Sequence, residues 1–294
     1  MSMLELHKDL EPFRNVFEKS IVSYNRIMPI YQSETALWAS KFGGIPYLPE
    51  GMEYPKNNKG QPLQLLAQIN FEEMPGLKFF PEKGILQFYI LNSWAENYGQ
   101  DYDGRTNQNH FRVLYHPEID KSVTEKTVLI DPEDNEFPIQ EYPLALSFHQ
   151  SSEPVAMTDK ISWTQFFPEN NRYFQDYQDA KGTEDEKYFT KLFWSEGYLM
   201  TEHYFFKQLK NEAIANWYRR ETQKHITHKI GGYAHFLQDD RRGFPNHDFD
   251  IQLLQIVSDA NISWSDGGVA HFFIRKEDLV KKDFTKVFYC WDCG

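Results

Sequence analysis

Four groups of residues have the types and spacing for chemistry. Cys290 and Cys293 hold the CxxC spacing of a shared metal or a redox thiol pair. A structural zinc needs two further ligands, and no second CxxC exists in the chain. A redox pair normally opens a helix that lowers the thiolate, and only Gly294 follows here. The expected reading is a terminal strand with incidental cysteines. His225 and His228 are spaced to share a helical face, with His235, His247 or Asp248 as further ligands of a metal. No His-Glu-x-x-His motif accompanies them, so surface or capping histidines are expected. Asp259, Asp266 and His271 fall within one hairpin and offer a carboxylate and an imidazole for general acid/base work. Yet Asp266 is the residue a turn itself wants, and His271 alternates with Val269 and Phe273 on one strand face. Asp101, Asp103, Asn107 and Asn109 resemble a calcium loop, but the Asp-x-Asp-x-Asp-Gly frame and its distal Glu are missing. Neither Gly43-Gly44 nor Gly231-Gly232 continues into a phosphate-cradling motif. No cofactor and no metal are expected.

The elements that must position these groups read as a doubled pattern. Lys41-Phe42-Gly43-Gly44 near the start is echoed by Lys229-Ile230-Gly231-Gly232. In both places a Gln-Leu-Leu run follows, with Leu65 and Leu253 each 22 positions after the first glycine. Gly84-Ile85-Leu86-Gln87-Phe88 is then matched by Gly268-Val269-Ala270-His271-Phe272. Residues 4–27 read as a helix from Leu6, Leu10, Phe13, Phe17 and Ile21, closed by Pro29. Strands are expected at 63–71, 85–91, 111–115, 128–130, 144–148 and 284–291, at least two helices within 150–222, and a helical turn at 277–282. Asp266-Gly267-Gly268 signals a short hairpin turn. Asn92 to Asn109 is a long polar loop.

Bulk composition narrows the partners. The net charge of −12 opposes the counterion displacement that nucleic-acid binding requires, and opposes anionic membrane surfaces. It suits a basic protein partner. The 24 Phe, 17 Tyr and 7 Trp supply aromatic core layers, with a ring-lined groove as the sharper alternative. No apolar run of about 18 residues is present, so no membrane span is expected. No basic cluster and apolar core open the chain, and two cysteines in 294 residues is sparse usage. The expected address is the cytoplasm.

The stretch from Ser40 to Pro49, followed by Leu65-Leu66-Ala67-Gln68-Ile69-Asn70, resembles the YwqG-like family, a bacterial domain family of unknown function. Leu253 to Asp259 with Trp264 to Gly268 is similar to the second half of the same family. The resemblance implies a mixed α/β protein with large, mostly antiparallel sheets and no assigned reaction. Association of relatives with toxin and immunity genes implies binding rather than catalysis. Val257 stands where the family's Gln-Ile-Asp-Ser-Asp version carries an acid, which argues against a carboxylate metal site there.

The expected fold is therefore α+β, with large, mostly antiparallel sheets in two related halves produced by internal duplication, an N-terminal helix and a helical insertion between the halves. The chain reads as a single domain, 1–294, with sub-halves 1–150 and 185–294 and an acidic connector 151–184. The expected function is a non-enzymatic protein-binding module, with neutralisation of a basic toxin as one form. The alternatives are a hydrolase or other enzyme using Asp259, Asp266 and His271, and a small-ligand or carbohydrate sensor.

Overall fold

In a computed structural model of the chain, the structure describes residues 4–31, 35–102, 104–124, 137–139, 143–167, 212–242 and 249–294. The strand expected at 128–130 lies outside these residues, as do 168–184 of the connector, Asp103, His247 and Asp248. Ten strands are described: β1 (Val22–Tyr31), β2 (Lys41–Phe42), β3 (Gln64–Asn70), β4 (Ile85–Ile90), β5 (Phe111–His116), β6 (Leu144–Glu153), β7 (Lys229–Gly231), β8 (Ile251–Val257), β9 (Val269–Ile274) and β10 (Phe288–Asp292). Four α-helices accompany them: α1 (Arg14–Lys19), α2 (Lys160–Phe166), α3 (Glu212–Gln223) and α4 (Lys276–Lys281). No helix among the described residues is long and apolar enough to cross a membrane.

The strands form one sheet in the order β10-β9-β8-β7-β1-β6-β2-β3-β4-β5. Neighbours such as β3 and β4, β4 and β5, β8 and β9, and β9 and β10 run antiparallel. β3, β4 and β9 are buried along their whole length, which is why their sequences are apolar runs and not alternations. The sheet curls to a nearly barrel-like form, so that its two arms face each other across one core. Phe88 meets Phe272 with ring centroids 4.8 Å apart, and Phe111 meets Tyr289 at 5.4 Å.

The two arms carry matching irregularities. In β3–β4 the register slips between Leu65 and Ala67, so Leu66 is an extra residue; in β8–β9 it slips between Gln252 and Leu254, so Leu253 is extra. Beyond each bulge Gln68 pairs with Gln87, and Gln255 with His271. Lys41 pairs with Gln68 and Lys229 with Gln255. The register thus matches Leu66 with Leu253, one residue away from the match that counting from the glycines suggests. All four glycines of the two pairs have positive φ, as a tight exit from a strand requires.

The amino-terminal segment departs from the expected helix over 4–27. A 3₁₀ turn at Lys8–Phe13 runs into α1, which stops at Lys19, and β1 begins at Val22. Ser20 closes the helix: its hydroxyl donates to the Phe17 carbonyl at 2.7 Å and accepts the Val155 N–H at 3.1 Å. After it, Ile27 is buried while Arg26, Met28 and Ile30 are exposed, the alternation of a strand. Pro29 lies inside β1, beyond the Tyr24–Arg26 stretch that pairs with β7.

The chain divides into two compact units. One holds 24–151, 227–231 and 248–294, and contains the sheet core around Phe88, Leu254 and Phe272. The other gathers 1–23, 152–226 and 232–247 around Phe17, Trp163, Ile214 and Tyr218. Its centre is ionic as well as aromatic. The buried Arg242 guanidinium donates to Asp159 at 2.5 Å and to both oxygens of Asp240 at 2.6 and 2.9 Å. Asp159 also caps α2 by accepting the Ser162 N–H and takes the Ala234 N–H, each at 2.9 Å. The guanidinium holds the Asp159 carboxyl below the usual carboxylate range despite the opposing effect of burial.

Candidate functional site

Two residues from different candidate groups meet. His228, just before β7, places Nε2 3.0 Å from Asp259 Oδ2. Its Nδ1 accepts the Val257 N–H at 3.2 Å, so the proton sits on Nε2 and is donated to the carboxylate. Oδ1 of Asp259 accepts the N–H groups of Asn261 and Ile262 at 2.8 and 2.9 Å, an Asx turn. The His228 hydrogen bond, ahead of the two backbone bonds, draws the Asp259 carboxyl below its ordinary value. With both nitrogens engaged, the His228 imidazole holds the turn after β8 and has no lone pair of its own left to take a proton.

The other candidates are dispersed. Asp266 is exposed in the turn between Ser265 and Gly267, both at positive φ, within a loop from 258 to 268 that is longer than the expected short hairpin turn. His271 is fully buried in β9, stacked on Phe273 and bonded through Nδ1 to Gln252 Oε1 at 3.2 Å. No helix runs through His225 and His228: α3 ends at Gln223. His235 Nε2 lies 3.2 Å from a carboxylate oxygen of Glu153. Cys290 is buried within β10, Cys293 follows the strand half-buried, and neither forms a disulfide. Extended backbone over that span separates the two Cα atoms by roughly 10 Å, beyond disulfide reach. Asp101 Oδ1 accepts the Gly104 N–H at 2.8 Å, a turn contact. Among the described residues no three His, Cys, Asp or Glu side chains are grouped to hold a metal.

Sequence reasoning missed a buried amide network on the first arm. Gln68 uses all four amide positions: Oε1 accepts from the Tyr47 N–H and from Gln87, while Nε2 donates to the Leu37 and Ala39 carbonyls. Gln87 Oε1 then accepts from the Tyr89 hydroxyl at 3.0 Å and from His116 Nε2 at 2.9 Å. Burial pushes the His116 imidazole down to about 4. Glutamines at regular intervals in otherwise apolar strands were the available signal.

The second feature missed is the loop between β4 and β5. Asn97, Tyr98 and Gly99 are three consecutive residues at positive φ, two of them not glycine. The backbone is fastened to β10: Trp291 donates its indole N–H to the Asn97 carbonyl at 2.9 Å and its backbone N–H to Gln100 Oε1 at 3.0 Å. The Tyr289 hydroxyl donates to the Tyr98 carbonyl at 3.3 Å. Beneath the loop Tyr98 packs on Trp264 and Trp291 at 5.8 and 5.6 Å. Trp94 rests on Tyr98 and Trp291 at 5.5 and 5.6 Å and is 45% exposed; Tyr102 is 59% exposed. The arrangement presents the Trp94 ring against a stretch, 97–100, that is fastened to β10, with the Tyr102 ring exposed two residues beyond it.

No curated protein matches the chain. Residues 40–293 match the model of a domain of unknown function, DUF1963, across every strand from β2 to β10. A match of that extent makes the chain a member of the DUF1963 family.

Proposed function

We propose that the chain is a non-enzymatic binding module of the cytoplasm whose recognition surface is the ring-bearing loop 92–102, and that its partner is a basic polypeptide segment. The observation that carries this is the exposure of Trp94 and Tyr102 on either side of a stretch, 97–100, that is fastened to β10. Tryptophan and tyrosine are the usual anchors of protein interfaces, because a rigid ring gains contact area at little entropic cost. Glu96 and Asp101 flank them in a chain of net charge −12, which selects for lysine and arginine in the partner. A basic toxin is one partner of this kind.

Selection from a displayed random-peptide library tests the reading. Recovered peptides should be rich in Lys or Arg, and Trp94→Ala should weaken them by about thirtyfold, the loss of one anchor residue. Peptides without basic bias, or equal binding by Trp94→Ala, would remove it.

We infer in addition that the two arms of the sheet descend from one copied unit, as the YwqG-like resemblance suggests. Support comes from the paired bulges at Leu66 and Leu253 and the paired rows Lys41-Gln68-Gln87 and Lys229-Gln255-His271. An experimental structure in which β3–β4 and β8–β9 fail to superimpose through those bulges would count against it.

A further inference from the structure

Within the unit that holds α1, α2 and α3 lies a cavity of about 260 Å³, remote in the sequence from the ring loop. α3 supplies one wall. Ile214, Tyr218 and Thr222 recur at helical spacing and are buried, and the adjacent stripe of the helix brings Trp217 and Glu221 to the cavity beside Tyr218 and Thr222. Leu6 and Ile21 complete the apolar lining, and Glu5, Lys224 and His225 add polar groups.

Carboxylates outnumber ammonium groups in the lining. Glu153 contributes a wholly buried carboxylate that accepts the Tyr233 N–H at 2.8 Å and lies 3.2 Å from His235 Nε2. Burial first, then the charges of Tyr233 and Glu153, push the Tyr218 hydroxyl well above its ordinary range. Glu5 and Glu221 are further carboxylates, while the one ammonium in the lining, Lys224, is already 3.3 Å from Glu221. A cavity with an indole, aliphatic walls and excess negative charge favours a cation with an apolar body, through Coulomb attraction and cation–π contact.

We propose that this cavity is a binding site for a small organic amine, its ammonium group directed to Glu221 and Glu5 and its apolar body against Leu6, Ile21 and Trp217. The volume limits the ligand to a single ring or a short branched chain. The site is independent of the basic polypeptide proposed for loop 92–102, and its test leaves that loop untouched.

The experiment is titration of the full chain with phenethylamine and with 3-phenylpropionate, which share a ring and differ in charge, followed by calorimetry and by ligand-observed NMR. The amine should saturate one site at millimolar concentration or below, and the carboxylate should not bind. Glu221→Gln should weaken the amine by about fivefold to tenfold, the loss of one charged hydrogen bond. Lys224→Met should tighten it, which a merely structural role for this turn would not do. Trp217→Ala should abolish saturation with the thermal midpoint monitored in parallel; if that variant fails to fold, the two exposed-end variants still decide. Absence of saturable amine binding, equal or tighter binding of the carboxylate, or an unchanged affinity in Glu221→Gln overturns the proposal.

Discussion

Both ring nitrogens of His228 are occupied, and Asp259 divides its two oxygens between that ring and the backbone of its own turn. Asp259→Ala should therefore cost stability, about 1–3 kcal/mol for the polar groups left without their acceptor, read as a lower denaturant midpoint. A carboxyl with a lowered folded pKa stabilises above its unfolded value and loses that contribution as pH falls through the folded value. Asp259→Asn should accordingly flatten the acid side of the stability profile below pH 3.8, the ordinary value for this group. His116 works over a different window. Its folded value of about 4 lies below the ordinary 6.5, so the unfolded chain binds the proton first. Stability is complete above pH 6.5 and declines between 6.5 and 4, by about 3 kcal/mol in all. His116→Gln should remove that slope in urea titrations repeated across this range. Neither role was legible in the sequence. The pairing of His228 with Asp259 joins residues 31 positions apart, and the setting of His116 depends on the Gln87 amide and the Tyr47 ring.

At the scale of elements, the strands were the legible part. β3, β4 and β9 are continuous apolar runs between turn residues, and such runs have few other uses. The stretch from Ser20 to Ile27 departs from the expected helix because Phe17 and Ile21 continue a helical spacing while Arg26 to Ile30 alternate; the contact between Ser20 and Val155 decides between them. Asn92 to Asn109 was legible as a loop, but the rigidity of its 97–100 stretch was not. Its rigidity depends on Gly99, whose φ is +84° and where a Cβ would collide with the His110 carbonyl. Gly99→Ala should lower stability by about 2–3 kcal/mol and alter Trp94 fluorescence, because the segment that fixes the indole must move. Gly51, also at positive φ but with open space around it, serves as the control: Gly51→Ala should leave the Trp94 signal unchanged.

Across the whole molecule, each compact unit is assembled from three separated stretches of chain. A reading that runs along the sequence finds halves and connectors. Contacts such as that between Asp159 and Arg242, 83 positions apart, tie stretches that lie far apart in the sequence. Arg242 is the residue on which the smaller unit's polar centre depends. Arg242→Ala strands Asp159 and Asp240 as buried charges without their cation, and should cost about 3–5 kcal/mol, measurable as early loss of near-ultraviolet circular dichroism. The placement of the two thiols gives a way to time openings in the other unit. Iodoacetamide should alkylate Cys293 in the folded protein, whereas Cys290, interior to β10, should react only when that strand detaches. The ratio of the two alkylation rates is then a native clock for the far edge of the sheet, needing no introduced probe.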